Sequence, residues 1–299
     1  MSQANAATDT ARAIKASKAK KRQQFIRALF SRKIVLVSAI IVIIFILMAI
    51  FANQIMPFDP NKPVVKDRNQ GPSATHLLGT DEFGRDVLSR IIIGSRVSLI
   101  VGVLAVFIAC IIGTTLGMVA GFFGGFVDDV ISRIAEAIRV IPQVVLAIAL
   151  CAVFGGGIGN MAIILGISNM TVYIRMMRSQ VMSIKERDYI MAGRLQGNSN
   201  ARLMLRHILP NSISPIIVTM TQQIGGTILS EAGLSFLGLG ISLPTASWGT
   251  LVAGGRTYLL TNPVYSLAPG FCIALLVICL NSLGDGVRDA LDPRLRGEL

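Results

Sequence analysis

Side chains that could act as acids, bases or nucleophiles are few in this sequence and lie far apart. The two histidines, His76 and His207, fall in separate polar segments, and the serines near carboxylates have no histidine beside them. The chain contains no GxxxxGK[ST] pattern, the loop that cradles nucleotide phosphates. The glycine-rich stretch GGGIGN, residues 155–160, lies between apolar segments rather than after a strand, which indicates a turn. No catalytic residues are therefore predicted.

The cysteines do not suggest a metal centre or a disulfide framework. All four lie within apolar runs, where the pattern is typical of small buried side chains. They are Cys110, Cys151, Cys272 and Cys279. We expect this chain to bind no metal and no cofactor of its own.

Glu231 is the best candidate for an ionisable group in a transmembrane pathway. It lies in ILSEAGLSFLGLG, near the outer end of an apolar segment. An ion-coupled transporter or channel usually keeps several ionisable side chains at membrane depth, and few are found here. We interpret Glu231 as a helix-packing or gate residue rather than a substrate contact. A membrane-embedded enzyme would need paired polar groups at one interface, and no such pair is evident.

The elements that position these residues are predicted to be membrane helices. The 299 residues are 53% hydrophobic and 15% charged, whereas soluble domains are roughly one quarter charged. Apolar runs of about 20 residues are long enough to cross a bilayer. The fold class is therefore all-α, a polytopic membrane protein with six transmembrane helices. We place them at residues 34–52, 97–121, 140–154, 161–177, 213–234 and 265–283.

The distribution of positive charge predicts the orientation of these helices. The formal net charge is +12, nine Lys/Arg precede the first apolar run, and seven lie from Arg175, at the end of the fourth, to Arg206, before the fifth. Basic residues concentrate on the cytoplasmic side of membrane proteins. Residues 1–33 are thus predicted to be a cytoplasmic tail, 53–96 an extracytoplasmic loop, 97–284 the core permeation domain and 285–299 a cytoplasmic tail. In the outer loop, Thr80 is predicted to cap a short helix.

Two further helical patterns have structural interpretations. Glycines recur every four residues along the second span, which predicts close packing against another helix. They are Gly113, Gly117, Gly121 and Gly125. The following segment, FVDDVISRIAEAIRVIP, is amphipathic and predicts an interfacial helix with an Arg133–Glu136 ion pair.

A polar, basic stretch, DYIMAGRLQGNSNARLMLRHILPN, interrupts the apolar pattern between the fourth and fifth spans. Gly197 predicts the left-handed cap of a first helix, and Ser199 or Asn200 the start of a second. Pro210 is expected to end that second helix. The small residues Ala192 and Gly193 would expose backbone to a close-fitting partner. The sequence therefore predicts a helix-turn-helix element that docks on another protein.

The spacing in this stretch resembles a known family. Met191-Ala192-Gly193, three residues, Gly197, nine residues and then His207-Ile208-Leu209-Pro210 is similar to the EAA loop of ATP-binding-cassette (ABC) importer permeases. That loop reads Glu-Ala-Ala, three residues, Gly, nine residues and Ile-x-Leu-Pro. Here Met191 replaces the glutamate, Gly193 the second alanine and His207 the isoleucine.

Further stretches are similar to the second, C-type permease subunit of dipeptide, oligopeptide and nickel importers: HLLGTDEFGRDVLSRIIIGSRVSL, FLGLG, WGTLV and GDGVRDALDPRLR. The resemblance implies a type I importer fold in the bacterial inner membrane with both termini in the cytoplasm. It also implies a homologous second permease, two cytoplasmic ATPases that bind ATP and magnesium, and an extracytoplasmic substrate-binding protein. Peptide is the preferred cargo, and nickel or another small solute stays open.

By the same resemblance, the 185–211 loop couples to an ATPase. The residues expected to take part are Tyr189, Ile190, Met191, Ala192, Gly193, Leu195, Gly197, Leu209 and Pro210.

Overall fold

The structure, a computed structural model, describes residues 29–30 and 32–291. Within these residues the regular structure is helical, and extended pairing is limited to one isolated bridge between Thr80 and Asp86. The tails predicted at both ends lie largely outside the described residues. The helices of eight residues or more are α1 Lys33–Ile50, α2 Val87–Phe123, α3 Gly125–Val140, α4 Gln143–Phe154, α5 Ile158–Ile184, α6 Asp188–Leu195, α7 Ile213–Phe236, α8 Trp248–Gly255 and α9 Pro263–Leu291.

The helices differ in how clearly they qualify as membrane spans. Among the described residues, α1, α2 and α9 are long and apolar enough to cross a membrane, and a fourth span results if α3 and α4 count as one. Helices α5 and α7 have 27 and 24 residues but are more polar. Their polar side chains need protein or water around them at membrane depth. Six spans therefore stay a prediction.

Helices α2 and α5 pack along a glycine seam. A Cβ atom built on Gly113 would lie 2.5 Å from the carbonyl oxygen of Met170, and one on Gly117 would lie 2.3 Å from that of Ile174. A Cβ atom on Gly121 would lie 2.8 Å from Cβ of Val181. Side chains at these positions would force the two backbones apart. We name Gly113, Gly117 and Gly121 the α2–α5 seam.

Gly125, the fourth member of the predicted glycine face, has a different environment. A Cβ atom there would meet nothing within 4 Å, and the backbone has φ of +50°. It begins α3, directly after Gly124 ends α2. Its role is to turn the chain, because glycine adopts positive φ without a steric penalty. The prediction that Gly125 packs closely against another helix, like the other three glycines, is wrong.

Helices α3 and α4 are joined at a 94° bend. Pro142 occupies the position before α4 and adopts an extended ψ of 131°. Proline has no N–H to donate and disfavours helix in the residue before it, so the break falls here. The bend lays α3 across the end of α5 instead of continuing α4.

The segment 53–96 is held together by buried charged side chains. Thr80 is fully buried in an irregular turn rather than capping a helix, so that prediction is wrong. The reason is the carboxylate of Asp81, which accepts hydrogen bonds from the backbone N–H groups of Phe83 and Arg85 and closes a turn. Asp86 instead caps α2, accepting from the N–H of Ser89 at 2.7 Å.

Candidate functional site

The 185–211 loop begins with α6, which ends as the sequence predicts. Gly197 has φ of +78°, and its N–H donates to the carbonyl of Arg194 at 2.9 Å. The N–H of Asn198 reaches back to the carbonyl of Gly193 at 3.1 Å. These bonds satisfy the last carbonyls of α6, as a glycine cap does.

The second half of the loop is a helix with a widened turn. The hydroxyl of Ser199 accepts from the N–H of Arg202 at 3.3 Å and caps the helical residues Asn200–Leu203. A π turn, Met204–Ile208, follows and leads into the helical residues Leu209–Asn211. Pro210 therefore does not end the helix, contrary to expectation. A proline ring crowds the carbonyl four residues earlier, and a π turn is one way to relieve that contact.

The two faces of α6 have opposite environments. Leu195 is 86% exposed, Met191 57% and Tyr189 43%, although all three are apolar or aromatic. Ile190 is 0% exposed and packs in a core cluster with Leu203 and several residues of α2 and α5. The loop is thus anchored to its own chain by one face and leaves apolar side chains uncovered on the other.

This division corrects part of the predicted contact surface. Ile190 and Gly193 face the interior, and a Cβ atom on Gly193 would lie 3.0 Å from Leu203 Cδ2. They support the loop from inside because no partner can reach them. The other expected residues are accessible, Leu209 in part. They are Tyr189, Met191, Ala192, Leu195, Gly197, Leu209 and Pro210.

The loop is joined directly to two long helices. Just after α5, Lys185 donates from its ammonium to the carbonyl of Gly121 in the α2–α5 seam at 3.0 Å. At the other end, Ser212 donates from its hydroxyl to the carbonyl of Ile208 at 3.1 Å, and α7 starts at the next residue. The loop is therefore continuous with both α5 and α7.

Glu231 is fully buried in α7 among three serines. Its carboxylate accepts from Ser235 at 2.8 Å, Ser247 at 3.0 Å and Ser98 at 3.2 Å. Ser247 caps α8, and Ser98 belongs to α2. The carboxylate thus joins three helices, and it has no exposed surface for a substrate.

Two charged contacts were not found from the sequence. Arg178 of α5 forms a bidentate ion pair with Asp128 of α3. Its Nε donates to Oδ1, and its Nη2 donates to Oδ2 at 2.6 Å. The expected Arg133–Glu136 pair is not among the ion pairs of the described residues. Fifty residues separate Asp128 from Arg178, and the packing of α2 on α5, which sets Gly121 against the carbonyl of Arg178, brings the start of α3 to this part of α5.

A second unpredicted contact lies in the segment 53–96. Nδ1 of His76 lies 2.9 Å from Oδ1 of Asp86, whose other oxygen accepts from the hydroxyl of Ser89 at 2.7 Å. A nucleophilic serine donates to its histidine. Here Ser89 donates to the carboxylate of Asp86. We therefore interpret His76, Asp86 and Ser89 as the residues that fix the start of α2.

The chain matches two family profiles. Residues 113–297 match the profile described as the binding-protein-dependent transport system inner membrane component. Residues 21–72 match the N-terminal transmembrane domain of oligopeptide transport permease C. The two matches follow the chain in the order of the resemblance noted in the sequence.

Curated relatives match over nearly the whole chain. The dipeptide transport system permease protein DppC of Alkalihalophilus pseudofirmus is 43% identical over 90% of this chain and 89% of its own. The glutathione transport system permease protein GsiD of Escherichia coli O6:K15:H31 is 40% identical over 92% and 91%. With these matches, the chain belongs to the binding-protein-dependent transport system inner membrane components, as a C-type permease subunit of an ABC importer.

Proposed function

We propose that this chain forms one half of a peptide pathway across the inner membrane and couples it to ATP hydrolysis through the 185–211 loop. The observation that carries the proposal is the two-sided α6, with Ile190 buried and Leu195 86% exposed. Uncovered apolar side chains on a well-anchored element are typical of a docking surface. We name the accessible residues Tyr189, Met191, Ala192 and Leu195 the α6 docking face.

The partner on this face is a cytoplasmic ATPase subunit. ATP and magnesium act there, and this chain supplies the moving part. Closure of the ATPase pair shifts the loop, and α5 and α7 follow because the loop is continuous with both. The pathway then opens to one side of the membrane at a time, since each state is favoured by different contacts. In this proposal both chain termini lie in the cytoplasm, on the same side as the 185–211 loop.

Short peptides are the cargo that the relatives favour. One relative is a dipeptide permease protein and another a glutathione permease protein, both similar to this chain over about nine tenths of its length. A nickel importer or an ion-coupled carrier has no comparable support here. A homologous permease completes the pathway, and an extracytoplasmic binding protein delivers the peptide.

Reconstitution tests this function. The chain is purified with its partner permease and two ATPases, placed in proteoliposomes and supplied with the binding protein and a labelled peptide panel that includes alanylalanine and glutathione. We expect uptake of at least one peptide that requires ATP, the ATPases and the binding protein. Uptake by this chain without ATPases, or driven by an ion gradient, would contradict the proposal.

A further inference from the structure

A polar cavity of about 330 Å³ lies between α3 and α5, and none of its lining residues belongs to the α6 docking face. From α3 it is lined by Ser132, Ala135, Glu136 and Arg139, and from α5 by Ile174, Arg175 and Arg178. Ligand pockets start at about 300 Å³, so the space is large enough for a small solute. None of the functions assigned above uses this cavity.

Only some of the charged side chains on the cavity wall form ion pairs within the chain. Arg178 is held by Asp128, which also accepts from the hydroxyl of Ser132 at 3.1 Å. Among the described residues, Arg139, Arg175 and Glu136 have no ion-pair partner. All three are exposed in this chain. The wall therefore offers two cations and one anion to a ligand.

The cavity lies beside α3, which together with α4 forms one bent candidate for a membrane span. Helix α4 has 12 residues, about 18 Å at 1.5 Å per residue, which is too short for a hydrocarbon core of about 30 Å. Helices α3 and α4 qualify as a membrane span only together, so a span that includes α4 also includes α3. Arg175 lies about 26 Å along α5 by the same rise. Ionisable side chains at such depth face a water-filled path or a partner charge.

From this arrangement the geometry points to a subsite for the two charged ends of a short peptide. Arg139 and Arg175 receive the carboxylate, and Glu136 receives the ammonium. Arginine suits the first task because its planar donors match a carboxylate. An anionic lipid headgroup fits less well, because Glu136 would repel its phosphate. The subsite rests on the proposed peptide transport and lies on the inner part of that pathway.

Protection of an introduced thiol tests the subsite. In the full nucleotide-free complex, Ser132→Cys is labelled with a cationic methanethiosulfonate, and the unsubstituted chain gives the background from native cysteines. We expect millimolar alanylalanine to slow labelling at least threefold and alanylalanine amide to have little effect. Adding Arg175→Gln should abolish protection. Adding Arg133→Gln, on α3 but outside the cavity, should leave it intact.

Each other result overturns the inference. No labelling would show that the cavity is closed in the complex, and labelling without protection would show that peptide does not enter. Protection by dihexanoyl phosphatidylglycerol but not by alanylalanine would assign the cavity to lipid. Uptake by the unsubstituted complex distinguishes the two proposals: peptide uptake without protection removes only the subsite, and absence of any peptide uptake removes the proposed function.

Discussion

The α2–α5 seam and the α6 docking face both belong to helices, yet their residues have opposite surroundings. In the seam, a Cβ atom on Gly117 would lie 2.3 Å from a carbonyl oxygen of α5. On α6, Leu195 is 86% exposed and touches little of its own chain. Residues of the seam are thus constrained by contacts within this subunit. Residues of the docking face make few such contacts and are accessible to another subunit.

This difference separates stability from transport. A change in the interior should lower the free energy of unfolding of the subunit and reduce transport only as a consequence. A change on the docking face should leave unfolding unaltered and uncouple the ATPases. Four substitutions, ordered from the largest expected effect to the smallest, test that separation.

Gly117→Leu should have the largest effect. The side chain has no space between α2 and α5, and overpacking of this kind costs about 3 kcal/mol or more. We expect little assembled complex after detergent extraction, measured by size-exclusion chromatography. Gly159→Ala on α5 is the control, because a Cβ atom there meets nothing within 4 Å. Normal assembly of the Gly117 variant would show that the seam is not tightly packed.

Glu231→Ala should destabilise the subunit by about 2 kcal/mol, because three serine hydroxyls lose their common acceptor in a buried site. Thermal unfolding of the purified complex measures this. Glu231→Gln keeps one acceptor oxygen and should lose about half as much. If both variants unfold like the parent but neither transports, Glu231 is a pathway residue and the packing interpretation fails.

Leu195→Asp should reduce uptake about tenfold, equivalent to about 1.4 kcal/mol, without changing unfolding. A charge on the docking face would be buried without a partner in the ATPase cleft. Co-purification of the ATPases, which we expect to fall, measures docking. Leu260→Asp is the matched control, since Leu260 is 101% exposed outside the loop. If both variants lose co-purifying ATPase subunits equally, the α6 docking face has no special role in binding them.

Gly197→Ala should have the smallest effect, about 1 kcal/mol, the cost of holding an alanine in the left-handed region. The position has open space around it, so only the backbone conformation matters. Hydrogen exchange in α6 should rise while the rest of the chain is unchanged. An effect on global unfolding as large as that of Gly117→Leu would mean that the loop belongs to the folding core.

Local signals in the sequence predicted local structure well. Gly197 and Ser199 end and start helices at the expected residues because each cap depends on backbone groups within four residues. The same local logic was wrong for Pro210 and Thr80. A π turn before Pro210 lets the helix continue through the proline. At Thr80, the carboxylate of Asp81 accepts the backbone hydrogen bond that closes the turn, so no helix begins there.

Contacts between distant segments could not be predicted in this way. Helical spacing identified the glycine face but not which of its members meet α5, so Gly125 was included wrongly. Ile190 was assigned to the docking surface because the sequence does not show which side of α6 faces the core. The cavity between α3 and α5 depends on how these two helices pack against each other, which no pattern within α3 shows.

The most direct test of the coupling account is a distance measurement between α6 and an ATPase. Leu195→Cys is cross-linked with a short bifunctional thiol reagent in the full complex, with cysteines placed in turn around the ATPase cleft, and Leu260→Cys is treated in parallel. We expect cross-links from position 195 whose yield changes when ATP binds, and we expect none from position 260. Absence of any cross-link from position 195 in every nucleotide state would contradict it.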